Sequence, residues 1–162
     1  MSMKTVTSPH IDTPPAQGYF RPVDPLTPRQ AAVEALRHAS RVGASASSVH
    51  RLGQKARRFV DDAIIEVRKY LGKERGGVVF CATRSEAKRL THGLGPDVAI
   101  VVDAEALGAL PGLIPVWFAE GVCPRPLWYG GGQQDGIRPG TVPAPLCAAL
   151  AAALRIQSGV QP

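Results

Sequence analysis

The chain has 162 residues, with 19 Lys and Arg against 13 Asp and Glu, a net charge of +6 and 44% hydrophobic residues. This suits one domain with a real core and excludes a collagen-like repeat or a chain disordered throughout, although 17 Gly and 15 Pro call for many turns. The positive charge permits attraction to polyanions, but the one dense cluster, Lys55, Arg57 and Arg58, lies among helical core positions without interleaved aromatics. A solvated helix face accounts for it, and nucleic acid is not expected as a partner.

Residues 1–18 mix Ser, Thr and Pro without hydrophobic periodicity and are expected to form a flexible arm, followed by an α/β domain over 19–157 and a tail over 158–162. Thr27-Pro28-Arg29-Gln30 combines a capping box with proline at the first helical position, which predicts a helix from Pro28 to about Arg41. After a loop over Gly43–Ser47, Leu52, Ala56, Phe59, Val60, Ala63, Ile64, Val67 and Leu71 recur at three- and four-residue steps, the apolar face of a helix ending at Gly72.

Gly76 and Gly77 lead into Val78-Val79-Phe80-Cys81, a short buried strand, and Thr83-Arg84-Ser85-Glu86 is a second capping box that opens a helix toward His92. Val98–Val102 and Leu113–Phe118 read as two further strands, separated by an Asp103-capped turn and the breaker Gly108–Gly112. Gly130-Gly131-Gly132 marks a loop. Pro143–Ile156 is a closing helix, apolar on nearly every side, which is expected to bury itself against the sheet or a partner.

Cys81, Cys123 and Cys147 form no C-x-x-C pair, and no secretory leader pattern is found, so a reduced, cytoplasmic setting is expected. No apolar run reaches the roughly 18 residues of a membrane span. His10, His38, His50 and His92 lack metal-ligand spacing, and no metal site is expected.

Three segments, Ser47–Arg57, Val79–Ala87 and Gly130–Thr141, together and in this order resemble the NifS-type cysteine desulfurases of the class V aminotransferase family. Ser47-Ser48-Val49-His50 with Gly53, Ala56 and Arg57 is similar to the family's S-S-V-H-x-x-G-x-x-A-R helix start. Val79-Phe80 followed by Glu86-Ala87 is similar to the strand and helix around F-T-S-G-A-T-E-A. Gly130-Gly131-Gly132-Gln133 with Gly136, Arg138, Gly140 and Thr141 resembles G-G-G-Q-E-x-G-x-R-x-G-T, the most specific of the matches. The resemblance implies an α/β fold derived from the large domain of a fold-type I pyridoxal phosphate transferase, with a reduced, mostly parallel sheet and flanking helices.

Set against that family, the chemistry-bearing positions differ. The family's Schiff-base lysine lies in S-A-H-K-x-x-G-P-K-G, and the ungapped counterpart, Asp103–Gly112, places Ala106 where the lysine would stand. Of the family's opening Y-L-D-N-A-A-T-T-P, only the aromatic start survives in Tyr19–Thr27. The phosphate-cradling G-A-T becomes Thr83-Arg84-Ser85. A central stretch with the ring-stacking histidine and the aspartate that pairs with the pyridine nitrogen has no counterpart between Leu90 and Asp97, and none is found for the small domain with its sulfur-accepting cysteine.

Two readings follow for the surviving residues. Thr83, Arg84, Ser85, Arg138 and Thr141 form a vestigial cofactor-phosphate or anion site, since a strand entering a helix N-terminus presents free N–H groups; or Thr83 and Glu86 simply cap a helix and the glycines shape a turn. In the family the threonine matched by Thr141 reaches the other subunit's cofactor. The resemblance therefore implies a non-catalytic, desulfurase-like protein that needs no cofactor of its own and acts as a regulatory or interaction subunit in sulfur mobilisation. Its partner would be a second copy or a full-length cysteine desulfurase. The alternative is one component of a split pyridoxal phosphate-dependent transferase.

Overall fold

The computed structural model describes residues 26–159, so the expected N-terminal arm lies outside the described residues. Helix α1, Pro28–Ser40, starts as its sequence predicts: Thr27 Oγ1 accepts from Gln30 N, and the Gln30 side chain returns a bond to Thr27 N at 2.9 Å. Helix α2, Arg51–Tyr70, buries Gly53, Ala56, Ala63, Glu66 and Val67, the three-to-four spacing expected of one packed face. Helix α4, Ala144–Gln157, buries Ala144, Ala148, Ala149, Ala151 and Ala153 together with Cys147, Leu150 and Leu154.

Small residues explain how the helices meet. Ala32 on α1, Ala63 on α2 and Ala149, Ala151 and Ala153 on α4 are almost fully buried, so α4 packs along both other helices at close range. The apolar girth of α4 is thus covered mainly by helices of the same chain. Phe80, Val102 and Leu113 close this core from the sheet side.

Among the described residues the sheet has three strands, β1 Gly77–Cys81, β2 Ala99–Val101 and β3 Ile114–Phe118, in the order β1-β3-β2. Both pairings are antiparallel, with Val79 opposite Val116 and Ile100 opposite Trp117. This corrects the expectation of a mostly parallel sheet. β1 and β2 do run in the same direction, but β3 is inserted between them. Residues 102–113 return the chain through compact turns at Gly108 and Gly112, both at positive φ, rather than through the crossover helix that parallel neighbours require.

The five residues of β3 are all buried, as a central strand covered on both faces must be. Helices α1, α2 and α4 lie on one side. On the other, Val79, Cys81, Ile114, Val116 and Phe118 pack against Ala87 and Leu90 of a short helix α3, Arg84–Leu90. Helix α3 enters directly from β1, which places its first turn at the end of the sheet beside the turn that follows β2.

Candidate functional site

The first turn of α3 is built by its own side chains. Thr83 Oγ1 accepts from Glu86 N at 3.1 Å, and Glu86 Oε2 accepts from Ala82 N at 2.9 Å, one residue earlier than in a regular capping box. The same Glu86 oxygen receives Arg138 Nε at 3.4 Å, with side-chain exposures of 17% and 16%, so this ion pair is largely withdrawn from water. Arg84 reaches both oxygens of Asp103 through Nη2, at 2.9 and 2.8 Å. Asp103 in turn accepts from Ala106 N at 3.3 Å and so shapes the turn that carries Ala106.

The structure therefore gathers Thr83, Arg84, Glu86, Arg138 and Asp103 at one end of the sheet. Ser85 is exposed on the same turn. Thr141 is exposed, and the hydrogen bond of its hydroxyl is to Gln133 Nε2, at 3.4 Å. Beside Arg84 opens a cavity of about 310 Å³ with Val101, Val102, Ala104 and Ile114 as apolar lining and Arg84, Lys88, Asp103 and Glu105 as polar lining.

This arrangement does not fit a pyridoxal phosphate. Ala106 offers no amine, Thr83 spends its hydroxyl on the helix start, and both guanidiniums are held by carboxylates. Glu86 already takes a backbone N–H and a guanidinium, the kinds of donor a phosphate would use, and its charge would repel one. Burial, then the Glu86 charge, pushes the Cys81 thiol up to about 11 against a smaller opposing effect of Arg138. Burial alone pushes Cys147 up to about 12. Both stay protonated at neutral pH and are poor nucleophiles, while Cys123 is exposed.

Several motif residues have structural work that the sequence pattern does not announce. His50 is itself the N-cap of α2, with Nδ1 accepting from Gly53 N at 3.2 Å. A Cβ on Gly53 would come within 2.1 Å of Ser48 O, so the glycine is there for a close backbone approach. The signal for both was the His-to-Gly spacing, three residues as in any N-cap bond, although imidazole is not a favoured cap.

Gln134 escaped the sequence reading altogether. Its side-chain amide accepts from Phe80 N at 2.6 Å and donates to Phe80 O at 3.1 Å, pairing with the free edge of β1 as a strand residue would. Gln134 does this from a left-handed backbone conformation, φ 51°, and its neighbour Asp135 shares that conformation, φ 57°. Below them a groove of about 360 Å³ runs between α2, β1 and the glycine loop. Among the described residues no cluster of His, Cys, Asp and Glu is placed to hold a metal ion, and no helix is long and apolar enough to cross a membrane.

No family model matches the chain, and no curated protein matches its sequence. Solved structures do match. A NifS-like protein from Rickettsia africae gives a TM-score of 0.71 at 11% identity, over 85% of this chain and 68% of that one. SspA, solved in complex with cysteine, gives 0.68 at 14% identity over 81% and 70%. A further NifS-like protein gives 0.66 at 13% identity over 79% of this chain and 66% of its own, just under two thirds of its length. The likeness is one of fold, and it agrees with the family that the motifs resemble.

Proposed function

We propose that this chain, which carries the NifS-like fold over part of its relatives' length, is a non-catalytic, cysteine desulfurase-like protein. Its role is that of a regulatory or interaction subunit in sulfur mobilisation, oligomerising with itself or with an active desulfurase. One observation carries the reading: at the place where a cofactor phosphate would sit, Arg84 is tied to Asp103, Arg138 to Glu86 and Thr83 to its own helix. Charges paired internally in this way serve the fold, and the amine left beside them is that of Lys88, which the test below addresses.

The motif residues His50 and Gly53 support the same view, because they shape backbone, as Gln134 does beside the glycine motif. Support for association comes from the surface. Among the described residues no strand lies on the outer side of β2, which exposes Val101, and Trp128 and Tyr129 are exposed at 40% and 95%.

The test is a titration of the purified chain with pyridoxal phosphate, read in the visible spectrum, followed by a tagged pull-down from the native host. The expected result is no band of lysine-bound cofactor and recovery of the chain as an oligomer, with itself or with a desulfurase. A band abolished by Lys88→Ala would overturn the non-catalytic reading in favour of the split transferase, since Lys88 lines the cavity beside Arg84. A chain that is monomeric and returns alone would remove the subunit role.

A further inference from the structure

The first two turns of α2 concentrate charge that the fold does not answer. Arg51, Lys55 and Arg58 fall at i, i+4 and i+7 on one exposed face, Arg57 stands beside them, and the first turn holds no acidic residue. Cations at the positive end of a helix dipole are unfavourable, and like charges three and four residues apart repel. Among the described residues none of the four is ion-paired; of the nearest acids, Asp61 stands four residues after Arg57 without pairing with it, and Asp62 is turned to Arg155 of α4 at 3.8 Å. The ion pairs among the described residues lie elsewhere.

Apolar side chains stand next to these cations. Leu52 is 51% exposed in the same turn and Val49, just before the helix, is 92% exposed, while the packed side of α2 is already complete without them. A purely solvated face would explain the cations, but it leaves both their mutual repulsion and the neighbouring apolar groups without a cause.

We propose that this face docks an acidic, amphipathic segment of a partner protein. The segment's carboxylates would meet Arg51, Lys55 and Arg58, and an apolar side chain would cover Val49 and Leu52. The mixture selects among polyanions. A nucleic acid strand is held by basic grooves with aromatic stacking, which this patch lacks. A lipid surface calls for a broader apolar face than two aliphatic side chains. An acidic amphipathic segment supplies the complementary charge and the apolar contact together. The inference does not depend on the sulfur reading: it concerns α2 alone and would survive the loss of that reading.

The experiment uses the full chain and fluorescence anisotropy with three probes: a labelled helical peptide of Glu and Leu with its carboxylates on one side, double-stranded DNA, and phosphatidylserine vesicles. The peptide should bind best, and Lys55→Glu with Arg58→Glu should weaken it about tenfold, whereas Arg89→Glu with Arg125→Glu, the same change of net charge elsewhere, should leave it nearly unchanged. Equal loss in both pairs, tighter binding of DNA or vesicles, or no binding of the peptide would each overturn the proposal. A stability measurement guards against misfolding: Lys55→Gln with Arg58→Gln should raise Tm at low salt by removing repulsion. A lower Tm would show the cations to be structural and overturn it as well.

Discussion

Cys81 and Cys147 show at the scale of a residue how burial decides chemistry. Each thiol has an ordinary value near 9.0 that the fold raises, to about 11 and about 12, so the folded chain holds these protons more tightly than the unfolded one. Below pH 9.0 both states are protonated and the associated stability is intact; as pH climbs toward 11 and 12 the unfolded thiols ionise first and that stability is lost. Thermal unfolding should therefore fall in temperature across this alkaline window, less so in Cys81→Ala when compared with its own neutral-pH value. Alkylation of the native protein should modify Cys123 quickly and the other two only after denaturation. Rapid native labelling of Cys81 would contradict the buried position it has here. Three cysteines look alike in a sequence, and only their surroundings separate them.

Helix α2 shows which parts of an element are local. Its length and buried face follow from apolar spacing alone, whereas its entry does not: serine is the ordinary cap and two serines precede, yet the cap is the His50 ring, which accepts from Gly53 N. What spacing does not reveal is that Ser48 O presses on Gly53. Gly53→Ala should cost about 1–3 kcal/mol, the range for forcing an atom into a filled space, measured by urea unfolding. An Ala variant as stable as the parent would mean that the loop before α2 can withdraw freely. Strand β1 is the opposite case. Its composition marks it as a strand, but the plug on its edge comes from Gln134, 54 residues away from Phe80, and nothing in the local pattern announces it.

For the whole molecule, the joint between α2 and α4 is the most informative. Glu66 is only 4% exposed, and its Oε1 receives both Lys69 Nζ and Arg155 Nε at 3.2 Å, the latter from the closing helix. Glu66→Ala would leave Arg155 without its main partner at a buried helix contact. The loss should be about 2 kcal/mol, below the full penalty for a broken buried pair because Arg155 keeps some access to water and a weaker contact to Asp62. Denaturant unfolding of Glu66→Ala and Glu66→Gln measures it, and an unchanged midpoint in both would show that apolar packing holds the helices by itself.

From its sequence alone this protein determined its helices, its short strands and the caps at Thr27 and Thr83, because these rest on contacts within a turn, on helical apolar spacing or on short apolar runs between turn residues; the family it resembles rests on the order of its motifs. The tertiary structure decided the antiparallel order β1-β3-β2 and the fate of the candidate site residues. Arg84 is 19 residues from Asp103 and Arg138 is 52 from Glu86, so whether these guanidiniums face a ligand or a carboxylate of the same chain depends on which segments the fold brings together. That Ala106 stands at the position the resemblance gives to a lysine could be read directly. That the charges around it are already paired could not, since electrostatic pairing acts through space and local periodicity carries no record of it.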